Sequence, residues 1–397
     1  MAAKKCWKQW TGPGDAHLIN RIEWDDSEAK ALEGVLDEDW FGYGEQNRQF
    51  EEKLSDITGI HHFNLTNSGS AALWIALKGI AHQGRVKPGD KIIHPITTFA
   101  TSVSCAIDMS LVPVYVETAP NTYVVDPEKI EQALKKHPDI QGAIIPYLLG
   151  SIPDMDRIRE ALGDRFLIED ACDTMQGCFG GQPIGSFGDY ITFSFYGSHH
   201  ITSGGVGGAV GTNHAELSAI AKSLIFWGRD FSAGDSFLDR YKYLTIGTDS
   251  QMSAIQAAFG LAQMARLEDF IVRRKQQFAE MTTILERHDY FDLPISHPAA
   301  EPHWFAYPLQ IKPGAPFTRE EFVVYLAEHN VEIRPIMCGN ILRQKPFAEA
   351  DHRVLQEEHP VADRIERDGI FIPCWGMPDD EKSDYHETLE SFFSRYA

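Results

Sequence analysis

The feature that most constrains the fold is a regular alternation of short apolar runs with helix-like stretches over residues 60–215. The apolar runs, rich in β-branched and aromatic residues, are KIIHPI, VPVYVE, GAIIPYL, RFLIED and YITFSFY. Helix-like segments separate them at residues 70–81, 126–136 and 154–162. Short apolar strands joined by helices are typical of a mostly parallel sheet with helices on both faces. We therefore predict an α/β fold.

The pattern changes near residue 270, where we place a domain boundary. Residues 248–286 are predicted to be helical, with a break near Leu267. Farther along, WFAYPLQI and VEIRPIM are predicted strands, and residues 318–329 and 380–395 are predicted helices. We expect a large α/β domain over residues 36–270. A smaller α+β domain is expected from residues 1–35 and 271–397.

Charge and hydropathy restrict the kind of partner. The net charge is −21, whereas nucleic acids and anionic membranes require clustered lysine and arginine. The N-terminal MAAKKCWKQW lacks the apolar core of a signal peptide, and no run of about 18 apolar residues is present. We therefore expect a cytoplasmic protein that binds neither nucleic acid nor membrane. The six cysteines have no CxxC spacing, so free thiols are expected rather than a metal site.

A possible phosphate site begins the helix in NLTNSGSAAL. The N–H groups of Gly69 and Ser70 would lie at the start of that helix, where the helix dipole favours an anion. The same residues also fit an ordinary serine N-cap.

Two acidic residues and one aromatic residue follow predicted strands. Asp170 ends RFLIED and Asp173 lies three residues later, at the edge of the sheet where ligands of α/β proteins bind. Phe99 follows another strand, where its ring could stack on a flat heteroaromatic ligand. The alternatives are a loop-capping role for Asp170 and a core position for Phe99.

A glycine-rich segment, SFYGSHHITSGGVGG, contains Ser194, His199 and His200. Taken alone, one histidine fits a structural role and the other a solvent-facing position. No lysine occurs between Lys136 and Lys222.

In their order along the chain, these motifs resemble the fold-type I pyridoxal-phosphate (PLP) enzymes, and more closely the DegT/DnrJ/EryC1/StrS sugar aminotransferase family. The resemblance is carried by WFGYGEQNRQFEEKLSDITG, TNSGSAAL, LVPVYVETAPNTYVVDPEKIE, IEDACDTMQG, IGSFGDYITFSFY and MSAIQAAFGLAQ. In that family the lysine that binds PLP covalently stands five residues after the serine, and here His199 has that place. Histidine there, with WGRD and MCGNILRQKPF, resembles the nucleotide-sugar 3-dehydratases of the GDP-4-keto-6-deoxy-D-mannose 3-dehydratase type.

The resemblance implies a reaction and a set of roles. PLP would be bound non-covalently and persist as its amine form, pyridoxamine phosphate (PMP), with L-glutamate as amino donor. His199 would be the base in removal of the C3 hydroxyl from a nucleotide-linked 4-keto-6-deoxyhexose. The implied cofactor-binding residues are Gly69, Ser70, Phe99, Asp170, Asp173 and Ser194. The implied substrate-binding residues are Arg229, Arg334, Asn340 and Arg343, although a salt bridge fits each arginine equally well.

The resemblance also implies a homodimer with shared active sites. Its product would be used for surface glycans, such as lipopolysaccharide O-antigen, or for natural products. The segment WGRDFSAGDSFLDRYKYL contains no cysteine, so we expect no iron–sulfur cluster. Asp249 departs from the family, which has asparagine there near the partner subunit's cofactor phosphate, and Val206 stands near an expected glutamate. Two alternatives remain: an atypical aminotransferase acting on a ketosugar nucleotide, and a non-catalytic paralogue that binds the cofactor.

Overall fold

The computed structural model describes residues 17–233 and 236–396. Residues 1–16, which include Cys6 and the first part of the segment assigned to the small domain, lie outside the described residues. Helices cover Asp26–Glu38 (α1), Glu45–Thr58 (α2), Gly69–His82 (α3), Ala100–Asp108 (α4), Pro127–Lys136 (α5), Met155–Leu162 (α6), Ala215–Ile225 (α7), Ala254–Met264 (α8), Leu267–Glu286 (α9), Arg319–Glu328 (α10), Lys345–Glu349 (α11), Pro360–Asp368 (α12) and Asp379–Phe393 (α13).

The strands form one large sheet and two small ones. They cover His62–Thr66 (β1), Lys91–Pro95 (β2), Val112–Val116 (β3), Ile140–Pro146 (β4), Phe166–Asp170 (β5), Cys178–Phe179 (β6), Gln182–Pro183 (β7), Tyr190–Ser194 (β8), Gly208–Thr212 (β9), Phe291–Asp292 (β10), Ala300–Glu301 (β11), Tyr307–Ile311 (β12), Arg353–Val354 (β13) and Gly369–Ile372 (β14). The large sheet has the order β1-β9-β8-β5-β4-β2-β3-β13, and β9 runs antiparallel to both of its neighbours. The other pairs are parallel, so the predicted mostly parallel sheet is confirmed.

Both faces of the large sheet are covered by helices. Successive residues of a strand point to opposite faces, and Ile92, Ile144 and Ile168 belong to one hydrophobic cluster. The preceding or following residues, such as Ile93, Ile145 and Leu167, belong to another. The first cluster includes residues of α3 and α7, and the second includes residues of α2, α5, α6 and α8. The predicted α/β fold is therefore confirmed.

A separate core lies in the C-terminal part of the chain. Apolar residues of α9, α10 and α13 pack with the antiparallel sheet β10-β12-β14. At the other end of the chain, His17 forms a bridge with Val331, whereas Val35 of α1 packs on Ala254 and Ala258 of α8. The described N-terminal segment thus contacts both parts of the molecule, and the domain bounds stay a prediction.

The predicted helix break near Leu267 and the predicted strand VEIRPIM can be compared with the helices and strands of the structure. The expected helix break near Leu267 is found at residues 265–266, between α8 and α9. The predicted strand VEIRPIM is wrong, because it makes only isolated bridges at Val331 and Arg334. Pro335 lacks the N–H group that a continuing ladder would need. Within residues 17–233 and 236–396, no helix combines the length and apolar character needed to cross a membrane.

Candidate active site

A cavity of about 530 Å³ opens where the parallel strands end. Parallel strands present their carboxyl ends at one edge of the sheet, so the residues that follow β1, β2, β4, β5 and β8 meet there. The sequence-predicted residues that line the cavity are Gly69, Ser70, Phe99, Asp170, Asp173, Ser194, His199 and Arg334.

The start of α3 packs against the end of β8. Ser68 is the N-cap, because its side chain accepts a hydrogen bond from the N–H group of Ala71. A β-carbon on Gly69 would stand 2.7 Å from Cβ of Ser194 and 2.9 Å from Sγ of Cys172, so only glycine allows this approach. The first N–H groups of a helix have no partner within it. The serine cap is therefore observed at Ser68, and the anion site at Gly69 and Ser70 stays a prediction.

Asp170 is a buried carboxylate that is bonded only to neutral donors. Its side chain is 5% exposed, and its Oδ2 accepts a hydrogen bond of 2.6 Å from the hydroxyl of Ser102. Its Oδ1 accepts a hydrogen bond of 3.2 Å from the N–H group of Cys172. Burial raises the pKa of Asp170, while these hydrogen bonds lower it. No cation among the described residues pairs with it, so a cationic ligand group would stabilise its charged form.

Asp173 shares this polar wall. Its Oδ2 accepts a hydrogen bond of 3.0 Å from the N–H group of Leu149. Burial is the main cause that raises the pKa of Asp173 to about 7, and the nearby charge of Asp170 acts in the same direction. The positive charge of Arg334 acts in the opposite direction. Together, Asp170 and Asp173 make this wall of the cavity favourable for a ligand that donates hydrogen bonds.

His199 lies between the cavity and the second part of the chain. Its ring packs at 5.2 Å from the ring of Phe305, centroid to centroid, and its Nδ1 is buried without a hydrogen-bond partner among the described residues. Burial is the main cause that lowers the pKa of His199 to about 4. The backbone of Cys172 opposes this effect through a hydrogen bond, and the charges of Arg334 and Arg274 add to it. The imidazole is therefore neutral at physiological pH.

Two further predicted residues lie at the rim. Phe99 is 51% exposed, so it is not a core residue, and its ring is available to a ligand in the cavity. Arg334 reaches the cavity and also pairs with Glu332 at 2.6 Å. For Arg334, a lining position and an ion pair are therefore both observed. The other histidine, His200, is buried and does not line this cavity.

Three predicted substrate-binding residues do not line the cavity. Asn340 donates a hydrogen bond of 2.7 Å to Asp363, and its side-chain oxygen accepts one from the N–H group of Leu342. Arg343 pairs with the same Asp363 at 2.9 Å on the surface. The guanidinium of Arg229 lies 5.2 Å from the ring of Phe231. Their substrate-binding roles stay predictions.

Asp249, the departure from the family pattern, is exposed and accepts a hydrogen bond of 3.0 Å from Gln251. It is not among the residues that line the cavity.

Sequence reasoning missed two residues of the site. Ser102, which holds Asp170, lies on the first turn of α4, three residues after Phe99, and that spacing is a signal that could have been used. Phe305, which packs on His199, comes from a distant part of the chain. Nothing in its local sequence indicates that contact.

The cavity fits a phosphorylated pyridine of the PLP type. The narrow contact between Gly69 and Ser194 brings the start of α3 beside a hydroxyl group, which suits a phosphate. The unpaired carboxylate of Asp170 suits a protonated ring nitrogen, and the exposed ring of Phe99 suits a flat aromatic group. The lining residues thus offer a partner for each part of such a cofactor.

Comparisons with known proteins agree with this arrangement. Residues 23–386 match the model of the DegT/DnrJ/EryC1/StrS aminotransferase family. The chain is 33% identical over 390 residues to the lipopolysaccharide biosynthesis protein RfbH of Salmonella typhimurium, covering 91% of this chain and 88% of that protein. It is 30% identical over 356 residues to dTDP-4-dehydro-2,6-dideoxy-D-glucose 3-dehydratase of Saccharopolyspora spinosa, covering 83% and 76%.

The fold is shared with a solved structure of an enzyme that binds the cofactor. The structure of Escherichia coli GDP-4-keto-6-deoxy-D-mannose-3-dehydratase with bound hydrated PLP superposes with a TM-score of 0.88 at 26% identity. The match covers 94% of this chain and 99% of that one.

Proposed function

The chain belongs to the DegT/DnrJ/EryC1/StrS aminotransferase family of PLP-dependent sugar-modifying enzymes, and from that premise we propose that it is a nucleotide-sugar 3-dehydratase. It removes the C3 hydroxyl from a nucleotide-linked 4-keto-6-deoxyhexose, with L-glutamate as amino donor. The observation that carries this proposal is the imidazole of His199 in the cavity wall, where none of the described lining residues is a lysine. Without a lysine, the cofactor is held only by non-covalent contacts.

The chain's own residues bind and orient the cofactor. PLP, when bound, supplies an electron sink, and its amine form supplies the amino group that reacts with a ketone. Gly69, Ser70 and Ser194 would hold its phosphate, and Phe99 would cover one face of its ring. Asp170 would accept a hydrogen bond from the protonated ring nitrogen. Asp173 would hydrogen-bond the ring hydroxyl.

His199 moves the proton. A neutral imidazole accepts a proton from carbon, and the imidazolium that results donates it to the C3 oxygen, so that the hydroxyl leaves as water. The pKa of an ordinary histidine is near 6.5, whereas burial and the charges of Arg334 and Arg274 lower the pKa of His199 to about 4. The lower pKa keeps the ring in its accepting form and makes the protonated ring a stronger acid. General acid–base groups of this kind typically contribute about 10²–10⁴-fold to the rate.

Arg334 is the one arginine or lysine among the described residues that line the cavity, and it would bind the carboxylate of glutamate or the anionic substrate. Arg229, Asn340 and Arg343 would take part only from outside this cavity, as residues that meet the bulky nucleotide or a partner subunit. The substrates named for two relatives carry different nucleotides, dTDP and GDP, so the test below compares both of them with CDP.

We also infer a homodimer that shares its active sites. Supporting this inference, the segment after WGRD exposes an unusual number of large apolar side chains, with Phe237 90% and Ile246 81% exposed. Leu238 and Tyr241 on the same segment are also largely exposed. Such a patch favours contact with another protein surface.

The test follows both half-reactions. Glutamate is added to the PLP-loaded protein, and the absorbance change from aldehyde to amine is recorded. A 4-keto-6-deoxyhexose linked to GDP, dTDP or CDP is then added, and ammonia and the sugar product are measured. Conversion with ammonia release and a 3-deoxy product supports the proposal. An aminosugar product indicates an aminotransferase instead, and no spectral change at all indicates a non-catalytic paralogue.

A further inference from the structure

A buried arginine behind the cavity is connected to both the backbone and the ring of His199. Arg274 of α9 is 3% exposed, and its Nη2 donates a hydrogen bond of 3.2 Å to the side-chain oxygen of Asn20. The side-chain amide of Asn20 in turn donates to the carbonyl oxygen of His199. Arg274 Nη1 donates to the carbonyl oxygen of Phe305, whose ring packs on the imidazole. Two short chains of contacts thus lead from one guanidinium to His199.

Arg274 forms no ion pair with a carboxylate among the described residues, and the charge of Glu23 acts on it without direct contact. Its hydrogen bonds go to neutral oxygens, and its Nε has no partner there. Its neighbour Arg273 shows the contrast, because it pairs with Glu23 and Asp269, both at 2.9 Å. Burying an unpaired charge is costly, so this arrangement calls for an explanation beyond stability.

We propose that Arg274 is a positioning residue for His199. Arg274 holds the loop and the aromatic ring that orient the imidazole. Its charge also favours the uncharged, proton-accepting form of that ring. The inference rests on the proposed role of His199 as the base. Two like charges close together in a dry environment repel, so a fixed cation opposes protonation of the imidazole.

The groups around His199 agree with this role. Burial is the largest cause of its lowered pKa, and the charges of Arg334 and Arg274 follow. Arg274 is also the first charge that lowers the pKa of His200. Two cavities touch His199, and the titratable and charged groups of the described residues that line them with it are Tyr147, Asp170, Cys172, Asp173, Tyr196, Arg334 and Cys338 in one and Arg21, Glu23, His200, Arg273 and Arg274 in the other. Arg334 pairs with Glu332, Arg273 with Glu23 and Arg21 with Glu381, whereas Arg274 forms no ion pair with a described carboxylate.

The test compares three variants of the full chain. Arg274→Met removes the charge and both hydrogen bonds, whereas Asn20→Ala cuts the link to the His199 carbonyl and keeps the charge. Arg273→Met is the matched control, because it loosens the same N-terminal segment through Glu23 without touching Asn20. The titration of His199 is followed by NMR of isotope-labelled histidine in the cofactor-free protein, with the signal assigned through His199→Asn. The kcat and KM for dehydration are measured across pH.

We expect Arg274→Met to raise the pKa of His199 by about one pH unit and to lower kcat about 10- to 100-fold with little change in KM. Asn20→Ala is expected to lower kcat while leaving that titration unchanged, and Arg273→Met to alter neither. The inference is overturned if Arg274→Met leaves both the pKa of His199 and kcat at the wild-type values. If Arg274→Met does not fold, the same result in Asn20→Ala overturns it. It is equally overturned if Arg273→Met reproduces the effect. A raised pKa in Arg274→Met in a protein that lacks dehydration supports the inference and contradicts the proposed function, because the titration needs no substrate.

Discussion

Gly69 and Ser194 approach each other so closely that a β-carbon on Gly69 would stand 2.7 Å from that of Ser194. This contact joins the start of α3 to the end of β8, which are separated by more than a hundred residues in the chain.

Gly69→Ala tests that contact. The added methyl group overlaps Ser194 and Cys172, so the helix start must move away from the proposed phosphate site. We expect a loss of about 1–3 kcal/mol in the free energy of unfolding and a weaker affinity for PLP, measured by denaturation and by cofactor titration. Gly34→Ala is the control, because nothing lies within 4 Å of its added carbon. Wild-type affinity in Gly69→Ala would exclude the helix start as the phosphate site.

His199→Asn tests the base. We expect PLP binding to persist and dehydration to fall by about 10²–10⁴-fold, since the amide cannot accept a proton from carbon. His214→Asn, at an exposed histidine, should leave both unchanged. His199→Lys should bind PLP covalently, which borohydride reduction followed by mass spectrometry would detect. Full turnover in His199→Asn would remove His199 from the mechanism.

The pH profile provides a separate prediction about the same residue. The base must be neutral to accept a proton, so kcat/KM falls as the pH drops through the pKa of His199 in the free enzyme. Because burial lowers that pKa to about 4, the His199-dependent acid limb is expected near pH 4 rather than near 6.5. An acid limb near pH 6.5 that disappears in His199→Asn would show that the ring titrates like an exposed histidine.

The raised pKa of Asp173 lets us predict how the free energy of unfolding changes with pH. Its pKa is raised to about 7 in the folded protein from 3.8, so the folded state binds the proton more tightly. This group therefore contributes a loss of stability that grows as the pH rises from about 4 to 7. We expect Asp173→Asn to raise the free energy of unfolding of the cofactor-free protein by roughly 1–3 kcal/mol at pH 8, with almost no change at pH 4.

The control for Asp173 is Asp139→Asn. A hydrogen bond from Lys91 lowers the pKa of Asp139, so the sign of its effect on stability is the opposite. An equal change in Asp173→Asn at pH 4 and pH 8 would mean that the titration of Asp173 is not its cause.

The exposed apolar side chains after WGRD, such as Phe237 and Leu238, lead to a prediction about the oligomeric state. A double substitution, Phe237→Asp with Leu238→Asp, places two charges where the proposed dimer needs apolar contact. We expect the variant to sediment as a monomer and to lose turnover, whereas Ile295→Asp, at an exposed apolar residue of another segment, keeps the dimer. A dimer that persists in the double variant would place the interface elsewhere.

The sheet and much of the cavity wall could be predicted from the sequence because they depend on local signals. Apolar runs such as RFLIED form buried strands, and their last residues reach the ligand edge of the sheet, so Asp170 follows from the pattern alone. Phe305 and Arg274 could not be predicted, because the contact of Phe305 with His199 and the hydrogen bond of Arg274 to Phe305 depend on how the second part of the chain packs. Asn340 shows that a family motif alone does not predict where a side chain lies. The motif around it resembles the family, but its side chain donates a hydrogen bond to Asp363.

The reversed strand β9 bears on how the enzyme could change over evolutionary time. Hydrogen bonds from Phe195 to Gly207 and from Gly197 to Gly205 continue the β8–β9 pairing, so the segment that carries His199 is a hairpin tip between two buried strands. Residues 200–203 of this tip are buried, and Asn20 donates a hydrogen bond to the carbonyl oxygen of His199, so an inserted or deleted residue there would displace the imidazole. Evolutionary changes of length are therefore expected on the exposed side of the hairpin, at Gly204 and Val206, and not beside the imidazole.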